Sequence, residues 1–388
     1  MNDGPPGMRA GIRRAISAAA DPVVAAGHLH AELAGPDVVL VLFFCAPEYE
    51  KPAFAAALRR LFPGVIVAGC TSAGEIGPGG YHENSVTAIS FAAPDFAAVA
   101  RLLLTEGDLE VGRCGEAIAE MRHELDQRCQ DWSGEVNRFA LLLIDGTTQR
   151  EDAVAAFVGG AMLDMPVLGG SAGDALAFKH TSVFADGQFH EQGAVVILVA
   201  TRRPVWPFRN QHFVAAEKRV VVTGADPQRR VVTELDAEPA VQVYARLIGC
   251  PEAELTPMVF ATHPLVVRLG GAEYVRSIQK ANPDGSLSFY CAVDEGLVLT
   301  LSESRNLLSR TEDLYADVRT SFGVPDAVIG FECVLNRLEA ERSQIKHRLS
   351  RLHAANNVTG FASFGEQWGS MHVTQTFTGI AIGREAAS

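Results

Sequence analysis

No segment of the sequence is apolar for long enough to cross a membrane. A membrane-spanning helix needs about 18 or more apolar residues in a row, and the longest apolar run, residues 38–47, ends at Glu48. The basic residues Arg13 and Arg14 are followed by a short apolar stretch that Asp21 interrupts, which is too little for the core of a secretory signal peptide. These absences predict a cytoplasmic protein without a membrane partner.

Positive charge is also scarce, since 46 Asp and Glu residues outweigh 33 Lys and Arg residues and give a formal charge of -13. Such a charge repels nucleic acid phosphates and anionic lipid head groups. The seven cysteines are odd in number and widely spaced, and none forms a C-x-x-C motif. Neither a disulfide framework nor a cysteine zinc site is therefore indicated, and we expect reduced thiols and no nucleic acid partner.

One pattern recurs three times along the chain. Each copy has an apolar strand, a helical stretch, a short second strand, a glycine-rich segment and a returning strand. The first strands are predicted at 38–45, 139–145 and 327–333, and the glycine-rich segments are 69–75, 169–174 and 360–366. A helical crossover makes the first two strands parallel, and the third returns antiparallel. The sequence thus predicts a mixed α/β fold of repeated β-α-β-β units with mixed sheets.

The spacing within the copies is nearly constant. From Cys45 to Gly69 and from Asp145 to Gly169 the distance is 24 residues, and from Cys333 to Gly360 it is 27. A turn sequence at 282–285 predicts a hairpin in the segment that separates the second and third copies. Apolar spacing predicts one long amphipathic helix over 336–354 with a core-facing stripe. The stripe comprises Leu335, Leu338, Ile345, Leu349 and Leu352.

A Pro- and Arg-rich stretch at 201–211 is the best candidate for a domain boundary. We therefore divide the chain into a helical lead-in (1–29), an N-terminal domain with two repeats (30–205) and a C-terminal domain (206–388). The third repeat is expected at 327–383. The sequence leaves the oligomeric state open, and a homo-oligomer is compatible with it.

These motifs resemble the FIST domain proteins. The matching segments are 67–75, 169–174, 232–236, 274–276, 293–296, 360–366 and 374–378, so the resemblance spans about residues 30–384. It implies the two-domain FIST architecture and a non-enzymatic sensory module of intracellular signalling that binds a small ligand. One stand-alone bacterial subgroup binds heme, senses nitric oxide and regulates a partner histidine kinase, and other members are fused to cyclic-di-GMP enzymes.

The first strand of each predicted unit ends in a residue that could contact a ligand. These residues are Cys45, Asp145 and Cys333, and ligands of open α/β sheets lie outside the carboxyl ends of the strands. The alternative for the cysteines is that they are small buried hydrophobes. Together with Ser171, Arg276 and Glu366, these three residues form our predicted ligand-binding set.

Residues 169–173 match G-x-S-x-G, the nucleophile motif of α/β-hydrolases. No clear helix follows the serine, as the motif would require, and the other copies carry Ser72 and Ser363 at the apparently equivalent position. A scaffold role for Ser171 is therefore favoured, with Glu75, Asp174 and Glu366 as matching residues of the three copies that cap nearby backbone donors. A hydrolase with Ser171 as its nucleophile remains the enzyme alternative.

The resemblance implies a heme b cofactor, which would need an imidazole that faces an apolar hollow. His263 has the most apolar neighbours in sequence, and His212 and His180 are the other axial candidates, with His372 as a further rival. A lone histidine of this kind is also common in ordinary protein cores. The predicted function is a heme-based nitric oxide sensor that acts on a separate signalling protein; the alternative is a sensor of a small polar metabolite such as an amino acid.

Overall fold

The computed structural model describes residues 11–104, 111–162 and 164–384. Three consecutive stretches of chain adopt one arrangement of strands and helices. The first repeat comprises β1 (Ile12–Ser17), α1 (Pro22–Leu33), β2 (Val38–Cys45), α2 (Pro52–Leu61), β3 (Ile66–Thr71), β4 (Glu75–Gly77), β5 (Gly80–His82) and β6 (Val86–Ala92). The second comprises β7 (Phe96–Leu104), α3 (Val111–Arg128), β8 (Asn137–Ile144), α4 (Glu151–Met162), β9 (Val167–Ser171), β10 (Val183–Ala185), β11 (Gln188–His190) and β12 (Ala194–Thr201).

The third repeat begins with β13 (Val205–Gln211) and is then interrupted by an insertion. The insertion contains β14 (Phe213–Asp226), β15 (Val231–Leu235), β16 (Glu238–Pro239), α5 (Ala240–Ile248), α6 (Pro257–Thr262), β17 (Leu265–Leu269), β18 (Ala272–Arg276), β19 (Ile278–Ala281), β20 (Leu287–Phe289) and β21 (Val298–Ser304). The repeat resumes with α7 (Leu307–Phe322), β22 (Ala327–Cys333), α8 (Val334–Arg342), α9 (Lys346–Ala355), β23 (Val358–Ser363), β24 (Glu366–Trp368), β25 (Met371–Val373) and β26 (Thr376–Ile382).

Each repeat builds a sheet with the same strand order. The orders are β1-β6-β2-β3, β7-β12-β8-β9 and β13-β26-β22-β23. The last two strands of each order are parallel, and the other pairings are antiparallel. The predicted mixed α/β fold is confirmed, and so is the helical crossover between parallel strands.

The three sheets are completed by an exchange of hairpins. The β4–β5 hairpin of the first repeat pairs with β23 of the third, and the β10–β11 hairpin of the second pairs with β3 of the first. The β24–β25 hairpin of the third repeat pairs with β9 of the second, which closes the cycle. Every repeat therefore lends a hairpin to one neighbour and receives one from the other.

The inner faces of the three sheets share one hydrophobic core. Phe44 from the first sheet meets Phe331 and Phe361 from the third, with ring centroids 4.7–6.1 Å apart. Helices α1 and α2 cover the outer face of the first sheet, α3 and α4 that of the second, and α7 and α9 that of the third. Continuous apolar strands are expected when both faces of a sheet are covered.

The insertion has a hydrophobic core of its own, which packs α5 and α6 against its strands. It contains the hairpin expected at 282–285, because β19 and β20 pair antiparallel across that turn. The buried guanidinium of Arg230 joins the insertion to the second repeat, where its Nη2 donates to Glu151 at 2.5 Å and to Asp152 at 2.8 Å. Two carboxylates therefore balance this buried cation.

Two expectations about the elements differ from the structure. Of the lead-in 1–29, residues 1–10 lie outside the described residues, and the remainder holds β1 and most of α1. Since β1 pairs with β6, this segment belongs to the first repeat and is only partly helical.

The long helix expected over 336–354 is two helices, because the chain turns at 343–345, where Gln344 has φ +57°. The boundary placed near 205 lies between β12 and β13.

The strand register also corrects the alignment of the three copies. Gly69 lies opposite Phe43, and Gly169 lies opposite Leu142. Ser171 is two residues beyond its glycine, whereas Ser72 is three residues beyond Gly69, so Ser171 corresponds to Thr71. The serine is therefore not triplicated, and our argument for a scaffold role from its repetition was wrong.

Candidate functional site

The three glycine-rich segments meet at the carboxyl ends of the parallel strands. Ala73 N–H donates to Ala362 O at 2.9 Å, and Ala362 N–H donates to Gly74 O at 2.7 Å. The second segment joins both of the others, through Gly173 N–H to Thr71 O at 3.1 Å and through Ser171, which exchanges backbone bonds with residues 364 and 365. Displacing one segment would therefore strain backbone bonds to its neighbours.

Cys45 and Cys333 lie at this end of the sheets but face inward. Both are buried, and burial raises the pKa of each thiol well above its usual value. A neutral buried thiol behaves as a small hydrophobe. Neither cysteine lines the cleft described below, although the next residue in each case, Ala46 or Val334, does so.

Glu366 is a fully buried carboxyl group rather than part of an open site. Ser363 Oγ lies 2.6 Å from its Oε1, and Thr376 donates to Oε2 from both its N–H and its hydroxyl. Burial raises the pKa of Glu366 to about 8. Glu75 repeats this arrangement with Ser72 and Ser85, and burial raises its pKa to about 6. Asp174 does not correspond to Glu75 and Glu366, because it lies in the loop after Ser171, which is longer than the equivalent segments of the other repeats.

Asp145 and Ser171 are satisfied by their own surroundings. Asp145 accepts hydrogen bonds from Thr147, Thr181 and the backbone of Gln192, and it lines a small polar cavity of about 300 Å³. Ser171 is fully buried, and its Oγ accepts a bond from Gln367 at 3.0 Å. The strand that ends at Ser171 continues into a loop and β10 rather than a helix, so the geometry of a nucleophile elbow is not present.

Arg276 lies in the interior of the insertion, next to Cys291. Burial raises the pKa of Cys291 to about 11, although Arg276 opposes the rise. The arginine is 5% exposed, and among the described residues its Nε has no hydrogen-bond partner. Arg276 does not line the cleft described next.

The largest described cavity near the strand ends is a cleft of about 630 Å³, which we name the Arg337 cleft. Its walls are the segment after β2, the glycine-rich segment of the first repeat, the loop after Ser171 and helix α8. The lining includes Glu48, Glu50, Ser72, Gly74, Glu75, Glu83, Asp174, Leu176, Lys179, His180, Val334, Arg337, Leu338 and Glu341. It therefore lies where ligands of α/β sheets usually bind.

Helix α8 presents an unusual face to this cleft. Asn336 and Arg337 are buried, whereas Leu335 and Leu338 are partly exposed. The Arg337 guanidinium lies 5.2 Å from the ring centroid of Tyr81, and its Nη2 donates to His82 O at 3.0 Å. Among the described residues, Nη1 has no hydrogen-bond partner. A buried donor that remains unpaired costs about 1–3 kcal/mol.

Gly74 covers the unpaired nitrogen. Its φ is +127°, and a Cβ at this position would lie 1.8 Å from Arg337 Nη1, so the site requires glycine. Around this cation the cleft carries carboxylates. Glu83 is shared between Arg337 and Lys346. Glu50 Oε1 lies 3.6 Å from His180 Nε2, and burial raises the pKa of Glu50.

The three histidines expected to ligate heme do not fit that role. His263 is exposed at the end of α6, with Nδ1 3.1 Å from Val259 O. His212 is buried, but its Nε2 lies 2.8 Å from Glu339, and His180 is exposed between two carboxylates. An axial ligand needs a free ring nitrogen facing an enclosed apolar space. His372 is buried, and within the described part of the chain its Nε2 has no hydrogen-bond partner, but Gly365 packs directly against its ring.

The described residues contain neither a candidate metal site nor a candidate membrane-spanning helix. No group of three or more His, Cys, Asp or Glu side chains within 11–104, 111–162 and 164–384 is arranged to hold a metal ion. No helix in the same part of the chain has the length and apolar character needed to cross a membrane.

Sequence reasoning missed the two features that shape the cleft. Leu335 and Leu338 were assigned to a core-facing stripe, which hid the buried Arg337 between them. The loop at 172–182 is longer than the corresponding segments of the other repeats. The apparent match of Asp174 with Glu75 concealed this extra length. A signal was present in the sequence, since the segment from Ser171 to β10 is longer than its counterparts.

Two family models match the chain in succession. The FIST N domain matches residues 39–238, and the FIST C domain matches residues 240–368. A search of curated proteins found no match. The junction of the two matches lies in the insertion, between β16 and α5, and not at the boundary between repeats. Because the matches together cover most of the sequence, the chain belongs to the FIST family, whose domains are small-ligand sensors of signal transduction.

Proposed function

We propose that this protein senses a small zwitterionic metabolite, such as an amino acid, in the Arg337 cleft. The observation that carries the proposal is the buried Arg337 guanidinium, whose Nη1 has no partner among the described residues. Nη2 of the same group already donates to Glu83 and to His82 O, so the missing bond is that of Nη1. Buried polar groups in proteins are normally hydrogen-bonded. A ligand carboxylate would supply the missing acceptor and could bind the planar guanidinium with good geometry.

The other end of such a ligand would meet negative charge. Glu50 is partly buried and Glu48 is exposed, and both line the cleft. Burial raises the pKa of Glu50, so a ligand ammonium group beside it would favour its ionised form. The cleft therefore offers a cation and carboxylates to a molecule that carries both charges.

Ligand binding would have a direct structural effect. Arg337 Nη1 lies under Gly74, so a carboxylate can reach it only when the segment around Gly74 moves. Ala73 and Gly74 are hydrogen-bonded to Ala362 of the third repeat. A displacement in the first repeat would thus be transmitted to the third, which is the two-state element that a sensor requires.

The output of the sensor is proposed to be a separate signalling protein, either a histidine kinase or a cyclic-di-GMP enzyme. If the ligand changes the affinity for this partner, the partner must change the affinity for the ligand by the same factor. The family supports a signalling role in general, and the choice between these partners rests on the resemblance described above.

Removing the Arg337 cation is expected to weaken binding by at least about tenfold, since a hydrogen bond to a charged group contributes about 1.5–3 kcal/mol. Calorimetry with the twenty L-amino acids identifies the best ligand, and Arg337→Met is then compared with the unchanged protein. Arg348→Met is the matched control, because Arg348 is an exposed arginine of α9.

Two analogues of the best amino acid test whether both of its charged groups are needed. The amine lacks the carboxylate and the carboxylic acid lacks the ammonium group, so each should bind at least tenfold more weakly than the amino acid. Equal binding of the amino acid to the Arg337→Met and unchanged proteins, with circular dichroism showing both folded, would contradict the assignment.

Heme-dependent nitric oxide sensing is tested by an absorption spectrum of the protein expressed with heme available. We expect no stoichiometric Soret band, because His180, His212 and His263 are exposed or already bonded. A heme protein expressed in parallel serves as the positive control. A stoichiometric band that disappears in His212→Ala would overturn the zwitterion proposal in favour of heme.

A further inference from the structure

A second cavity of about 350 Å³ adjoins the Arg337 cleft. We name it the apolar chamber; its lining includes Leu176, Phe178, Phe213, Pro257, Met258, Ile278, Tyr290, Leu335 and Leu338. Leu176 and Leu338 line both the chamber and the cleft. These two side chains therefore form the partition between the charged cleft and a mainly apolar space, whose wall also includes Glu339 and Arg342.

The chamber exposes large apolar side chains that a folded protein would normally bury. Leu176 is 50% exposed, Met258 39% and Phe178 37%. They come from two separate parts of the chain, the loop after Ser171 and helix α6 of the insertion, and they converge on one concave surface. Exposed apolar groups gathered in a concavity indicate a ligand-binding site.

The chamber wall is already held in place. The carboxylate of Asp174 accepts the backbone N–H groups of Phe178, Lys179 and His180 at 2.8–2.9 Å. The Phe178 ring stacks on Phe364 with centroids 4.1 Å apart. Ala175 and Phe178 adopt φ values of +60° and +52°, which non-glycine residues adopt at an energetic cost. Such positions concentrate at ligand-binding sites.

The geometry points to a ligand whose charged end lies in the Arg337 cleft and whose bulky apolar substituent occupies the apolar chamber. The ligand class is therefore the large apolar amino acids, aromatic or long aliphatic, rather than small or polar ones. This inference rests on the proposed function and deepens it. The partition of Leu176 and Leu338 is the place where the α-carbon and the first side-chain carbon of the ligand pass.

The first test compares phenylalanine with alanine by calorimetry on the full chain. Burying the phenyl ring should strengthen binding by roughly 10- to 100-fold. If alanine and phenylalanine bind equally, the chamber does not hold the substituent and the inference fails while the zwitterion site stands. If neither of these two probes nor any other amino acid binds, both proposals fail.

The second test fills the chamber from its wall. Met258→Trp should remove most of the roughly 10- to 100-fold advantage of phenylalanine over alanine. Val298→Trp is the matched control, since Val298 is 46% exposed on a strand of the insertion and lines neither cavity. Phenylalanine binding unaffected by Met258→Trp would overturn the inference.

Discussion

Gly169→Ala is expected to lower the free energy of unfolding by more than about 3 kcal/mol, whereas Gly160→Ala should raise it by about 1 kcal/mol. A Cβ on Gly169 would lie 1.8 Å from the carbonyl oxygen of Leu142 on the neighbouring strand. The three atoms nearest to this Cβ are all backbone atoms of Leu142, so no flexible side chain can move aside. The cost therefore lies at the upper end of overpacking effects.

Gly160 provides the opposite case in the same repeat. It is exposed on helix α4, and no described atom lies within 4 Å of its added Cβ. Alanine is favoured over glycine in a helix by about 1 kcal/mol. Urea unfolding of the two variants measures both effects, and midpoints that move in the same direction would refute the close-approach argument.

The same argument explains why glycine recurs in each repeat. Added Cβ atoms on Gly69 and Gly360 would lie 2.2 Å and 1.8 Å from the carbonyl oxygens of Phe43 and Gly330. None of these three glycines has a positive φ. Glycine is thus required at these three positions by the close approach of the parallel strands and not by a tight turn.

The second prediction with a large effect concerns pH. Folding raises the pKa of Glu366 from 4.5 to about 8, so between these values the folded protein holds a proton that the unfolded chain has released. Stability should therefore fall as pH rises through this window, by about 1 kcal/mol per pH unit, and level off above pH 8. Below about pH 4.5 the contribution of Glu366 is constant.

Glu366→Gln should remove much of this slope between pH 6 and pH 8. This range lies above the pKa of Glu75, which is about 6 in the folded protein, so Glu75 contributes little to the slope there. The amide nitrogen can face the Ser363 hydroxyl, which donates onward to Glu332 O at 3.3 Å, while its oxygen still accepts from Thr376. Glu116→Gln, an exposed change on α3, is the control. Chemical unfolding at four pH values gives the slopes, and parallel slopes for Glu366→Gln and the unchanged protein would contradict the protonated state.

The repeats could be predicted from sequence because they are local. Apolar strands, helical spacing and glycine segments recur within short windows, so the parallel pairs β2/β3, β8/β9 and β22/β23 follow from the crossover rule. The exchange of hairpins could not be predicted in the same way. Strand β4 pairs with β23 far along the chain, and the short hairpin sequences contain nothing that selects their partner.

The Arg337 cleft opens at the edge of the sheets where a ligand site was predicted, but none of the six predicted side chains lines it. Successive side chains of a strand point to opposite faces, so a shift of one residue puts Cys45 in the core and Ala46 at the cleft. Arg337 was missed because Leu335 and Leu338 have the spacing of a core stripe. Only the three-dimensional structure reveals that these leucines face a cavity and that the arginine is buried.

The cyclic exchange of hairpins has a consequence for synthesis on the ribosome. The β4–β5 hairpin emerges early, but its partner β23 appears near the end, tens of seconds later at about 5–20 residues per second. Until then the growing chain carries the unpaired edges of β4 and β9, and such edges invite pairing with other chains. We therefore expect completion of the fold to be a late, cooperative event, for which protection by chaperones during translation would be most valuable.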